Sequence, residues 1–251
     1  MYDFQKASMW KRVSAALCDL VALGIVAVGL ALLFSTLLGY DGRTARLEEI
    51  SEAYESEYGV DFDITESDYE KLTEGEKAQF KLARDKFSAD PEANYVYGVI
   101  VSLTFAILTL SILLASVLLE FVVPLLFGNG QTLGKKVFGV AVMREDCVRL
   151  SPLLLFTRAL LGKYTVETMI PVLIILMMYW GIMGFLGTII LLCLLGFQLV
   201  LFFNTREHRA IHDKLSHTVV VDFASQMIFD STEAMLAYKQ RIHEAEAARG
   251  D

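Results

Sequence analysis

From Val166 to Phe203 the chain runs for 38 residues with one acidic side chain, Glu167, and no basic one. As a single helix this block would be about 57 Å long, against a bilayer hydrocarbon core of about 30 Å. It is therefore expected to fold back as a hairpin of two short spans, 166–183 and 185–203. The turn is expected in the uncharged stretch Trp180–Gly187, which carries Gly181, Gly184 and Gly187. One long, tilted helix is the alternative. Two further apolar blocks, 13–38 and 95–127, are each long enough to cross a membrane. The second exceeds what a bilayer needs, so one end should project or tilt.

These blocks account for a hydrophobic fraction of 55% and a mean hydropathy of +0.48 over 251 residues, too apolar for an ordinary soluble domain. The first block is too long for the apolar region of a cleavable signal peptide and lacks an A-x-A site at its end, so it is expected to remain as an anchor. Net charge is −8 and unevenly spread. Lys6, Lys11 and Arg12 precede or open the first block. The segment Gly128–Thr165 carries Lys135, Lys136, Arg144, Arg149, Arg158 and Lys163 against Glu145 and Asp146. The segment Gly39–Asn94 carries seven basic and sixteen acidic residues. An excess of Lys and Arg marks the cytoplasmic side. Both termini and the basic segment are thus expected inside a cell membrane, with the acidic loop 39–94 outside.

The predicted fold is an all-α membrane protein with four transmembrane helices, short cytoplasmic β-elements and an acidic helical extracellular loop. A membrane domain of residues 1–223 would be followed by a helical cytoplasmic tail, 224–251. In the acidic loop, Leu47, Ile50, Tyr54 and Tyr58 recur at helical spacing, as do Tyr69, Leu72, Phe80, Ala83 and Phe87. Thr73 and Glu76 form a capping-box pattern. Asp61, Asp63, Glu66 and Asp68 do not make an EF-hand, because positions six and twelve counted from Asp61 hold Glu66 and Leu72 and not glycine and glutamate. Gly128–Lys136 fails as a Walker A loop: Gly130 and Gly134 enclose three residues, and Lys136 follows Lys135 where Ser or Thr is required. Val137–Met143 and Val148–Leu150 suggest a hairpin, to which Thr218–Val221 adds a strand. Ser151-Pro152 opens a helix to about Gly162, expected to lie in the interface. Pro171 should kink the third span or mark its opening turns. In the tail, Met235, Tyr238 and Ile242 share one helical face. Cys18 and Cys193 read as small apolar core residues, and with Cys147 they suggest no disulfide framework.

The charged residues inside or beside the apolar blocks are the candidates for function. Arg12 and Asp19 are seven residues apart, so they lie on one helical face. Arg12 also suits a snorkelling anchor. Asp19 lies about 10 Å deeper, where a lone ionised carboxylate is expensive, so it should be paired, protonated or hydrated. A structural bridge from Asp19 to Arg158 or Arg12 is expected slightly ahead of ion binding. Glu120 and Glu167 are positioned to complete an acidic site. Asp213 is expected to pair with Arg12, Lys135 or Arg158 and lock the terminal segment onto the bundle. Gln198 is expected to serve as helix–helix glue more than as a ligand. His208, His212 and His217 lack an HExxH pattern and nearby cysteines, so no metal is expected.

In chain order, Lys11-Arg-Val-Ser-Ala-Ala-Leu-Cys-Asp19, Gly130-Gln-Thr-Leu-Gly-Lys135, Gly139-Val-Ala-Val142, Arg158 and Arg209-Ala-Ile-His-Asp-Lys-Leu-Ser-His-Thr-Val-Val-Val221 are similar to the blocks of the RDD family of membrane proteins. The family is named for one arginine and two aspartates, which match Arg12, Asp19 and Asp213. The resemblance covers about Met9 to Val221 and departs from the family in the long acidic loop. It implies a multi-pass membrane protein and, from what is proposed for some members, a small-cation or proton-coupled transporter, sodium–proton exchange included. On that reading Arg12, Asp19, Asp213, Arg158, Lys135 and Glu120 form the transport charge network. Four spans are few to enclose a path, so a homodimer is expected. The alternative is a structural or adaptor protein that binds a protein partner through the acidic loop or the tail helix. No enzymatic constellation, cofactor or nucleic-acid partner is expected.

Overall fold

The structure, a computed structural model, describes residues 5–204 and 210–247. It divides into two compact units, Val28–Ser111 and the remainder of the chain on either side of it. Four helices are long and apolar enough to cross a membrane: α1 (Met9–Leu37), α5 (Pro91–Phe127), α7 (Pro152–Tyr179) and α8 (Gly184–Leu201, continuing to Asn204). Their exposed faces are hydrophobic, with Leu17, Val21, Ile25 and Leu32 on α1 and Ile189, Leu192 and Leu199 on α8. Bilayer covers such faces at no cost. Cys18 and Cys193 lie on these exposed faces and not in a core as expected, and all three cysteines are free.

Within the unit Val28–Ser111 the acidic segment is helical. Helix α2 (Tyr40–Tyr58) opens after Gly39 at φ +67° and closes at Gly59, whose φ of +62° suits a residue without Cβ. Helix α3 (Glu66–Lys71) is capped by the Thr65 hydroxyl, and α4 (Glu74–Ala89) by the expected box. There the Thr73 N–H donates to Glu76 at 2.7 Å and the Glu76 N–H to the Thr73 hydroxyl at 3.4 Å. Ile50, Ala93, Val96 and Ile100 form the core, flanked by Leu47, Tyr54 and Phe87.

In the other unit, α6 (Leu133–Val137) leads into β1 (Val140–Arg144), which pairs antiparallel with β2 (Thr218–Asp222) in the register Val142↔Val220. Alternation sorts the side chains. Ala141, Met143, Val219 and Val221 pack on one face with Ile228 and Phe229; Val140, Val142 and Val220 pack on the other with Ala7 and Leu150. The expected local hairpin is reduced to its turn: the 148–150 segment meets β1 at the bridge Met143↔Arg149, with the Arg144 N–H donating to the Val148 carbonyl, and Val148 bridges Phe229, while β1 pairs along its length with the strand expected at Thr218–Val221. Helix α9 (Ile211–Leu215) precedes β2, and α10 (Thr232–Ala247) follows it. Met235 is buried on α10 and Phe229 meets Tyr238, whereas Ile242 is exposed.

The apolar hairpin turns as expected, with Gly181 and Gly184 at positive φ between Tyr179 and Phe185. The segment expected as a separate interfacial helix, 152–162, is instead the beginning of α7. Two of the long helices contain π-wound stretches, Val117–Val122 in α5 and Thr157–Met169 in α7. In such a stretch residues five apart come onto one face.

Candidate functional site

The charged residues converge where α1, α5, α7 and the segment carrying α9 meet. Asp213, fully buried on α9, is the hub. Arg158 donates to its Oδ1 from Nε at 3.1 Å and from Nη2 at 2.8 Å. The Thr218 hydroxyl reaches the same oxygen at 3.2 Å, and the nearest Arg12 nitrogen lies 3.8 Å from Oδ2. Burial works to raise the Asp213 carboxyl, but His212, Arg158 and Lys135 outweigh it and hold the group below the usual carboxylate range. The expected pairing of Asp213 with Arg158 and Arg12 is therefore present.

Asp19 is placed differently from expectation. Its Oδ1 accepts the Gly134 N–H at 2.7 Å, and its Oδ2 accepts the Thr132 hydroxyl. It bridges neither Arg12 nor Arg158. The 130–135 turn brings two neutral donors to α1, and these satisfy the buried carboxylate without a cation. The approach leaves no room for a side chain at position 134: a Cβ on Gly134 would stand 2.2 Å from the Ala15 carbonyl oxygen and 3.0 Å from Asp19 Oδ1. Thr132 in turn caps α6, accepting from the Lys135 N–H at 3.5 Å.

The π-wound stretches hold the remaining pairs. Glu120, buried on α5, is ion-paired with Lys163 on α7. Four residues beyond Lys163, Glu167 accepts from the His212 backbone N–H at 3.1 Å, and His212 Nδ1 lies 2.8 Å from its Oε2. His212 Nε2 is 3.5 Å from Asp213 Oδ1, so the imidazole bridges two carboxylates. Gly162 lets this happen, since a Cβ there would stand 2.5 Å from His212 Cβ. Gln198 of α8 donates to Glu167. The sequence pointed to Glu120 and Glu167 but not to their partners Lys163 and His212, because a period of 3.6 residues does not bring 158, 163 and 167 to one face. The one available signal was the pair of glycines, 134 and 162, beside charged residues.

Arg12, Asp19, Lys135, Arg158, Lys163, Glu167, His212 and Asp213 line one chamber of about 330 Å³, whose apolar wall includes Val13, Ala16 and Val220. With Glu120 behind Lys163, four basic and four acidic groups balance. Lys135 stands apart. Its ammonium has no hydrogen bond or ion pair among the described residues, although Asp19 and Glu120 are near enough to act on it. Burial and the Arg158 guanidinium bring Lys135 down to about 7 against the opposing pull of those carboxylates. His217 is exposed, 3.7 Å from Glu145, and His208 lies outside the described residues. No group of three His, Cys, Asp or Glu suited to a metal ion occurs among the described residues.

The sequence profile of the RDD family matches residues 6–217, which takes in Arg12, Asp19 and Asp213. The chain belongs to the RDD family. No curated protein and no solved structure matches it. As an RDD protein with four apolar helices it is a multi-pass membrane protein. Of the three residues matched above by resemblance to the family's arginine and aspartates, Arg12 and Asp213 lie within one ion-pair network here, and Asp19 anchors the adjoining turn.

Proposed function

We propose that this RDD protein is a small transporter exchanging a proton for a monovalent cation, with the charged chamber as its exchange site. The observation that carries the reading is Lys135, the base without a direct partner among the described residues, beside Asp19 in a cluster of four basic and four acidic groups. In a low-dielectric site, binding a cation adds a charge that must be offset. Release of one proton by Lys135 offsets it, leaving a neutral amine and a cation near Asp19. Return of the proton expels the cation. Arg12, Arg158 and Glu120 keep the neighbouring carboxylate and ammonium groups paired, so that this exchange is the cheapest change the cluster can make. Asp213 ties α9 to α7 and closes one side of the chamber. The excess of Lys and Arg in 128–165 supports a topology with that segment and both termini on the cytoplasmic face of a cell membrane. Four spans imply a homodimer to enclose the path.

The test is ion-driven flux in proteoliposomes with a pH gradient and Na⁺, K⁺ or Li⁺ in turn. Wild type should exchange at least one of them. Lys135→Met and Asp19→Asn, at matched folded incorporation, should not. No flux with any cation in wild type would defeat the reading.

A second reading is supported by the saturation of Asp19 by Thr132 and Gly134: the charges hold the fold, and the acidic loop or α10 binds a protein. Under it, Asp19→Asn lowers stability without a specific flux defect, and deleting Asp230–Asp251 abolishes partner capture.

A further inference from the structure

Beside the charged chamber lies a second cavity, of about 300 Å³, between α7 and α8. Glu167 and Gln198 line both and form the wall between them. The two residues leave an unusual set of oxygens on that wall. Gln198 Oε1 is buried and accepts no hydrogen bond among the described residues. Its orientation is not arbitrary: the amide nitrogen of the same side chain donates to the Glu167 carboxylate, so the oxygen is the atom turned away. Pro171 lines the same cavity one residue past Ile170, where π winding has given way to α winding. Having no N–H, it withholds a donor from the Val166 and Glu167 carbonyls, five and four residues earlier. Val166, Glu167, Pro171 and Gln198 thus bring to one cavity a carboxylate, an amide oxygen with no donor and a helical turn from which Pro171 withholds an N–H.

We propose that this wall is a binding site for a desolvated alkali-metal cation, with Gln198 Oε1, the Glu167 carboxylate and a main-chain carbonyl of the turn before Pro171 as its ligands. Each is an oxygen, the donor type that hard cations take. One carboxylate among neutral oxygens matches a single positive charge. Under-used carbonyls at a helix interruption are the means by which membrane helices hold such ions. Leu191, Leu194 and Leu195 give the rest of the cavity an apolar lining. The inference deepens the exchange reading and rests on it for its biological use, because an ion held on the shared wall stands one step from the chamber. It adds a ligand role to the helix–helix contact expected of Gln198, which its hydrogen bond to Glu167 makes.

The experiment is direct titration of the full-length protein in detergent micelles with NaCl against choline chloride at matched ionic strength, followed by calorimetry and ²³Na line broadening. Wild type should bind Na⁺ saturably. Gln198→Leu, which removes the amide oxygen, and Pro171→Ala, which returns an N–H to the helix, should each weaken binding about tenfold or more. A circular-dichroism spectrum and melting temperature of Gln198→Leu close to those of wild type separate loss of a ligand from loss of the fold. Wild-type affinity in both Gln198→Leu and Pro171→Ala, or no saturable binding in wild type, overturns the site. Flux measured on the same proteins separates the two ideas. Binding that depends on Gln198 without any flux supports the site and defeats the exchange reading. Flux with Na⁺ affinity indifferent to Gln198 and Pro171 does the reverse.

Discussion

Asp19 and Asp213 are both buried carboxylates, yet they are stabilised by different means and should fail differently. Asp213 is held by a guanidinium, so Asp213→Asn leaves Arg158 buried beside a neutral group; loss of one partner from such a pair costs about 3–5 kcal/mol. Asp19 is held by a hydroxyl and a backbone N–H, and Asp19→Asn keeps one oxygen able to accept from Gly134. Thermal unfolding in detergent should therefore show a clearly larger loss for Asp213→Asn than for Asp19→Asn, and equal losses would contradict the geometry. Gly134→Ala should be costly for a different reason. The added methyl meets backbone at 2.2 Å, which no rotamer relieves, and overpacking of this kind costs about 1–3 kcal/mol. At this scale the sequence pointed to the buried charged residues and to the partners of Asp213, but not to those of Asp19. Arg12 and Asp19 share a face by spacing, and the structure sends them to different neighbours, because only the folded turn 130–135 supplies the donors that Asp19 takes.

The long helices were visible as apolar blocks, and the hairpin at Trp180–Gly187 followed from length alone. The winding inside the helices was not visible. Arg158, Lys163 and Glu167 fall on one face only because α7 is π-wound from Thr157 to Met169, and no residue pattern in that stretch announces it. The strands were legible from their local alternation, Thr218–Val221 included, but their pairing order was not: β1 pairs along its length with that strand, more than seventy residues away, and long-range pairing leaves little local signal. The helical cap, by contrast, is local chemistry and was fully legible. Thr73→Ala removes the hydroxyl that accepts the Glu76 N–H and should destabilise α4 by about 1 kcal/mol. Amide hydrogen exchange should show faster exchange across the first turns of Glu74–Ala89, with β1 and β2 unchanged. Acceleration spread evenly over the chain would mean that the cap supports more than its own helix.

For the whole molecule, the charge cluster links stability to pH. Lys135 has a value of about 7 in the folded protein against 10.5 for an ordinary lysine. Between those values the unfolded chain binds more protons than the folded one, so stability should rise with pH over that window; below about 7 both states are protonated and the contribution is flat. The sign is the reverse of what a lysine gaining an ion-pair partner would give, because burial and Arg158 outweigh the pull of Glu120 and Asp19. Other groups also titrate above pH 7, so the measurement is a difference: melting temperatures of wild type and Lys135→Met in the same detergent, from pH 6.5 to 10. The wild-type curve should climb relative to the variant as pH rises. A parallel pair of curves would mean that Lys135 is hydrated or paired in the folded state, and a wild-type curve that falls relative to the variant would mean that a carboxylate, Asp19 first among them, holds the ammonium charged. Either result would remove the proton carrier from the exchange reading. The predicted climb would place an ionisable group with a working range near neutral pH inside the chamber that Arg12, Asp19 and Asp213 enclose.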